Sequence, residues 1–131
     1  MEWILIREMT KEFVVLAMIF CHIFDDYVLQ GILAQLKQRS WWEENAPEEM
    51  YKMDYYAALA MHGMSWAFMV MLPVAIYYGF NVGFGFVMCF VANAILHASV
   101  DDMKANMKKI NLLVDQGLHM LQIILIAGCL L

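Results

Sequence analysis

The four histidines, His22, His62, His97 and His119, all stand in apolar surroundings, and three have an aspartate four residues away: His22 with Asp26, His97 with Asp101, and Asp115 with His119. Residues i and i+4 share one face of an α-helix, so each pair presents an imidazole and a carboxylate to the same neighbouring region. Together these groups form a donor set suited to zinc, manganese or iron, and three convergent protein ligands leave a position for water or substrate. The expected metal ligands are His22, Asp26, His62, His97, Asp101, Asp115 and His119. Zinc is the favoured ion, with manganese and iron as alternatives. Asp26 or Asp101 is the candidate base toward a metal-activated water. The same residues fit two other uses: a network in which each Asp neutralises its own His and ties helices together, or a path for protons or cations.

Neighbouring polar residues take lesser roles. Gln30 extends the His22–Asp26 stripe by one turn and is expected to bond a ligand or a substrate head group, or to tie helices together. Gln116, beside Asp115, is placed with it as a supporting or substrate-contacting residue. Ser65 lies one turn beyond His62 but is expected to bond its own backbone or permit close packing, not to act as a nucleophile. Asp25 and Asp102 sit about 100° around the helix from the better-placed acids, which makes them supporting or interfacial residues.

The elements that must position these groups are membrane helices. The chain has 131 residues, 63% hydrophobic and only 16% charged, with a mean hydropathy of +0.61. Soluble domains carry about a quarter charged residues, and a soluble monomer is not expected. From Tyr55 to Val100 no Asp, Glu, Lys or Arg occurs, a run long enough for two crossings of about 20 residues each. The break falls at Gly79-Phe-Asn-Val-Gly-Phe-Gly, next to the aromatic pair Tyr77-Tyr78. The fold expected is all-α: one transmembrane domain over residues 1–131, a four-helix bundle spanning about 13–36, 54–78, 82–102 and 110–131. Lipid cannot satisfy unpaired backbone groups, and the segments lack the two-residue alternation of barrel strands. Pro73 is expected to kink the second helix. Gly63 with Ala67, and Ala94 with Ala98, allow helices to approach closely beside His62 and His97.

Depth along the helices gives a second constraint. At about 1.5 Å per residue, the histidines and Asp26, Asp101 and Asp115 all fall in the halves nearest the loops 37–53 and 103–109. Buried charges are costly unless they pair, bind a metal or reach water, so these groups are expected to face inward together. Those two loops hold Lys37, Arg39, Lys52, Lys104, Lys108 and Lys109, against Arg7 and Lys11 on the other side. The positive-inside bias then places both loops in the cytoplasm and both termini outside. In the first loop Trp41-Trp42 serve as interfacial anchors, and Pro47 is expected to open a short interfacial helix with Glu48 and Glu49 in its first turn. The N-terminus has no basic region followed by a small-residue cleavage site, so no cleaved signal is expected. Cys21, Cys89 and Cys129 lack metal or disulfide spacing and are read as buried thiols. The 13 methionines are scattered and read as packing residues. A net charge of −5 without a long basic run gives no reason to expect nucleic acid as a partner.

The segment His22-Ile-Phe-Asp-Asp26-Tyr-Val-Leu-Gln30, the following Lys37, the isolated His62, His97-Ala-Ser-Val-Asp101 with Lys104, and Asp115-Gln116-Gly-Leu-His119 follow one another along nearly the whole chain. In this order and spacing they resemble the bacterial and phage membrane family catalogued as domain of unknown function 3307. That resemblance implies a small polytopic protein of the bacterial inner membrane and supplies no reaction. The Glu-rich stretch between Trp41 and Asp54 is longer than the resemblance leads one to expect. Alkaline ceramidases also surround zinc with intramembrane His and Asp, but with more helices and another motif order, so the likeness is one of chemistry alone.

Three functions follow from these residues. The first is a metal-dependent hydrolase of lipid or lipid-linked substrates, with membrane lipids as its partners. The second is a cation or proton transporter or channel module, which four helices would build only as a homo-oligomer. The third is a structural or accessory membrane protein held together by a buried His-Asp network.

Overall fold

A computed structural model describes residues 9–131, so Arg7, one of the charges used for orientation, lies outside the described residues. The described chain is all-helical. Thr10 caps α1 (Lys11–Phe24) by accepting from the Phe13 amide. The helix passes directly into a π-helical turn, Asp25–Leu29, closed by Gln30 N–H donating to the Asp25 carbonyl. Two short helices, α2 (Leu33–Leu36) and α3 (Arg39–Asn45), and a 3₁₀ turn, Glu49–Tyr51, lead into α4 (Asp54–Tyr77). The chain then returns through α5 (Phe84–Ala105) and α6 (Leu112–Leu130), the latter capped by Asn111 through the Val114 amide.

Three segments, Glu49–Tyr77, Phe84–Ala105 and Leu112–Leu130, are long and apolar enough to cross a membrane. The sequence expected a continuous helix over 13–36, and here the structure differs. Continuous helix stops at Leu29, because Gly31 adopts a left-handed conformation (φ 52°) that glycine reaches without steric cost. The other three helices lie close to their expected ranges. The first loop also departs from expectation: its helix, α3, precedes Pro47 instead of starting at it. Ala46, before the proline, leaves the helical region (φ −148°, ψ 71°) because proline disfavours the α conformation in its predecessor. Beyond Pro47 only the 3₁₀ turn forms. Helix α4 continues across Pro73.

α1 packs on α4 and α6, and α5 packs on the same two helices, so four long segments close a ring. The half of the bundle away from the α2–α3 loop has a dry core of Val14, Met18, Val70, Met71, Val74, Ile123 and Ile126. The opposite half carries the buried ionisable residues, while two buried amides, Asn93 and Gln122, bond each other beside Met71. Gly63 sets the closest helix approach: a Cβ built there would lie 2.5 Å from the Ala94 carbonyl oxygen and 3.2 Å from the Ala98 Cβ. Outward faces are apolar, including Phe13, Leu16, Phe20 and Ile23 on α1 and Leu121, Ile124 and Leu125 on α6. The thiols are not fully buried as expected. Cys21 and Cys89 are half-buried and Cys129 is exposed, since each lies toward the outer side of its helix.

Candidate metal centre

Every element of the ring brings ionisable groups to one level. α1 and its π-turn supply His22, Asp25 and Asp26; α4 supplies His62; α5 supplies His97 and Asp101; and α6 supplies Asp115 and His119. All four histidines and Asp25, Asp101 and Asp115 are buried, while the Asp26 side chain retains 9% exposure.

The tightest group of donors is Asp26 Oδ1, His62 Nε2 and His97 Nε2. The two imidazole nitrogens are 3.1 Å apart, and the carboxylate oxygen lies 3.2 Å from His62 and 3.6 Å from His97. Ligands about 2.0–2.1 Å from a tetrahedral ion lie roughly 3.3 Å from one another, so these three atoms are spaced as ligands of one ion. Asp101 borders the group, its Oδ2 3.3 Å from His62 Nε2. The same carboxylate turns Oδ1 to the other side, 3.4 Å from His119 Nε2, and Asp115 Oδ1 lies 3.4 Å from that same nitrogen. The buried Asp and His groups can hold a metal ion in two overlapping sets, Asp26–His62–His97 and His97–Asp101–His119. Asp26 Oδ1, Asp115 Oδ1 and His119 Nε2 are buried and make no hydrogen bond within the described protein, a costly condition for polar atoms that coordination relieves.

A supporting layer fixes the donors. Asp25 Oδ2 stands 3.5 Å from His62 Nδ1, the side of the ring away from the centre, and Ser65 donates to Asp25 Oδ1 at 2.6 Å. A carboxylate behind a ligating imidazole directs its lone pair inward and raises its basicity. Trp66 stacks on His97, with ring centroids 4.3 Å apart, and His97 stacks on His119 at 4.2 Å. Two lysines complete the layer: Lys37 Nζ lies 2.6 Å from Asp101 Oδ2, and Lys104 Nζ lies 2.9 Å from Asp115 Oδ2. Asn106 holds the Lys37 segment in place, donating to the Lys37 carbonyl and accepting from the Arg39 amide.

Of the seven expected ligands, Asp26, His62, His97, Asp101 and His119 fall into those two sets, and Asp115 Oδ1 lies 3.4 Å from His119 Nε2. His22 is different. Its Nδ1 accepts from Trp66 Nε1 at 2.8 Å and its Nε2 meets Gln116 Oε1 at 3.0 Å, an acceptor-only atom, so Nε2 carries the proton and no lone pair remains free. His22 therefore supports Gln116 and is not free to ligate. Gln116 does touch the centre, donating to Asp115 Oδ2 at 3.0 Å and reaching Asp26 Oδ2 at 3.5 Å. Gln30 does not join it: its amide donates to the Asp26 main-chain oxygen at 2.7 Å. The wider π-turn breaks the i, i+4 alignment on which its expected role rested. The same turn carries Asp25 into the interior behind His62, the supporting one of its two expected places. Ser65 bonds that acid and not its own backbone. Asp102 faces the loop side, accepting from Asn106 Nδ2 at 2.6 Å.

Sequence reasoning read Lys37 and Lys104 as loop charges and as parts of the resembling pattern, without a role at the centre, and did not single out Trp66. Lys104 had a local signal, three residues after Asp101, and Trp66 lies four after His62 on the same face. Lys37 had none, being 64 residues from its partner. No family model, curated protein or solved structure matches the chain.

Proposed function

We propose that this is an integral membrane protein whose buried His/Asp centre binds a divalent metal, zinc being favoured, and hydrolyses lipid or lipid-linked substrates. The observation that carries the reading is the mutual spacing of Asp26 Oδ1, His62 Nε2 and His97 Nε2, 3.1–3.6 Å, from three separate segments of the chain. Charge supports it: Asp25, Asp26, Asp101 and Asp115 face Lys37 and Lys104, which leaves two negative charges for a divalent cation to balance if the imidazoles are neutral.

A bound divalent ion would supply Lewis acidity and lower the pKa of water. The chain's own groups supply the rest. Asp26, the partly exposed acid, and Asp101, which touches both His62 and His119, are the candidate proton acceptors. Gln116 offers an amide donor beside Asp26. Outside it, Tyr27, Leu112 and Leu113 line a shallow apolar depression with Asn111 and Gln116, where an acyl chain would lie with its polar end toward the centre.

α1 is taken as a fourth crossing. Its helix and π-turn run from Lys11 to Leu29, and its outward residues Phe13, Leu16, Phe20, Ile23, Tyr27 and Val28 are exposed and mostly apolar, as a lipid-facing surface requires. The bacterial inner membrane, cytoplasmic loops and α3 at the interface belong to this same reading, in line with the resemblance to domain of unknown function 3307. A channel is less well supported, because the dry core from Val14 to Ile126 closes the far half of each bundle.

The test is hydrolysis. Detergent-purified protein loaded with zinc, manganese or iron is incubated with vesicles of bacterial polar lipid, and products are followed by mass spectrometry. Metal-dependent turnover that falls at least about 100-fold in His97→Ala and Asp101→Asn supports the reading. Metal-loaded wild type without turnover refutes the hydrolase, and ion flux from proteoliposomes abolished by the same substitutions establishes a transporter instead.

A further inference from the structure

We infer that the centre is dinuclear, with Asp101 as the carboxylate bridging two divalent ions, a role that occupies both of its oxygens and leaves Asp26 as the proton acceptor; this rests on the metal-binding part of the reading above. The reason lies in how the donors divide. The converging side chains form two overlapping sets and not one, Asp26–His62–His97 and His97–Asp101–His119, and Asp115 Oδ1 lies 3.4 Å from His119 Nε2 at the far end. Opposite ligands of a single ion at 2.0–2.1 Å are at most about 4.2 Å apart, too close to collect both ends of the cluster.

The second position is built by atoms with no other use. His119 Nε2 and Asp115 Oδ1 are both fully buried, both without a hydrogen bond within the described protein, and 3.4 Å from each other. Asp101 Oδ1 stands 3.4 Å from that same nitrogen, so the imidazole faces a carboxylate oxygen from each of two helices. Its other oxygen, Oδ2, faces His62 at 3.3 Å, in the first position. A carboxylate whose two oxygens address two donor groups is the geometry of a bridge, and ions so bridged lie about 3.5–4 Å apart.

Charge does not oppose a pair. Four carboxylates are balanced by two divalent cations if the lysines turn away, as readily as by one cation with both lysines in place. Lys104 already retains 30% side-chain exposure and has solvent to turn toward. Lys37 enters from the loop segment and ends on the bridging carboxylate itself, so it is the cation that a second metal ion would displace.

The test uses manganese, which binds oxygen and nitrogen donors and reports on its neighbours. Full-length protein in detergent is stripped with chelator and reloaded with Mn(II). Manganese per chain is measured by elemental analysis and coupling by electron paramagnetic resonance. Two manganese per chain with an exchange-coupled spectrum are expected. His119→Gln should reduce this to one uncoupled ion, and His62→Gln should do the same from the other side. One manganese per chain with an isolated six-line spectrum, unchanged by His119→Gln, overturns the dinuclear centre and leaves a single-metal reading intact. No bound manganese, zinc or iron in wild type overturns both. Because the wild-type stoichiometry alone decides the matter, a variant that fails to fold does not protect the inference.

Discussion

Gly63→Ala changes no ligand, yet it should disable the centre. The new Cβ would stand 2.5 Å from the Ala94 carbonyl oxygen, where ordinary contact begins at 3.4 Å, so α4 and α5 must separate by the difference, about 0.9 Å. The obstacle is backbone, which cannot rotate aside. His62 immediately precedes Gly63, and His97 lies between Ala94 and Ala98, so the movement falls on the 3.1 Å contact between the two imidazoles. Metal sites tolerate misplacement of about 0.5 Å. Overpacking costs about 1–3 kcal/mol, while replacing glycine by alanine within a helix returns about 1 kcal/mol. A net loss of up to about 2 kcal/mol is expected, with at least a tenfold loss of metal affinity, on the order seen when supporting contacts of a metal site are removed. Competition with a chromophoric chelator measures affinity and thermal unfolding in detergent measures stability. Gly117→Ala is the control, since nothing lies within 4 Å of its added Cβ. Wild-type affinity and melting temperature in Gly63→Ala would refute the reasoning.

Trp66→Phe keeps the stack on His97 but leaves His22 Nδ1 without its donor, and should lower stability by about 1–3 kcal/mol in chemical denaturation while metal remains bound. Removing metal with chelator should lower the melting temperature, and restoring the ion at about 100 times its dissociation constant should regain about 2.7 kcal/mol; calorimetry before and after reloading checks this. In a background lacking Cys21, Cys89 and Cys129, a cysteine at Glu44 should be protected from membrane-impermeant reagent in intact cells, while one at Asn81 should be labelled. The reverse pattern would invert the proposed orientation.

Much of the polar centre was legible because burial is costly to charge. His97–Asp101 and Asp115–His119 could be placed on common helix faces by spacing alone, and their depth followed from the distance to charged loops. The limit was reached wherever backbone geometry departed from the regular α-helix. The π-turn at Asp25–Leu29 brings Asp25 inward behind His62 and sends Gln30 to the backbone, and no pattern in the sequence announced an extra residue in that turn. His22 was misjudged for a different reason: its spacing to Asp26 is right, but the indole of Trp66, from another helix, takes its lone pair. Gly31 likewise ended the first helix before its apolar pattern ran out. Lys37 reached Asp101 through the fold of the first loop, a contact that only the three-dimensional path of the chain determines.

The most direct measurement is elemental analysis of wild-type protein purified in detergent without added metal or affinity-tag histidines, beside His97→Ala prepared identically. At least one equivalent of zinc, manganese or iron per chain in wild type, falling below about a tenth of that in the variant, is the predicted result. A folded wild type that carries no transition metal and does not take one up on addition would contradict a metal centre and leave the buried Asp and His residues as a structural network.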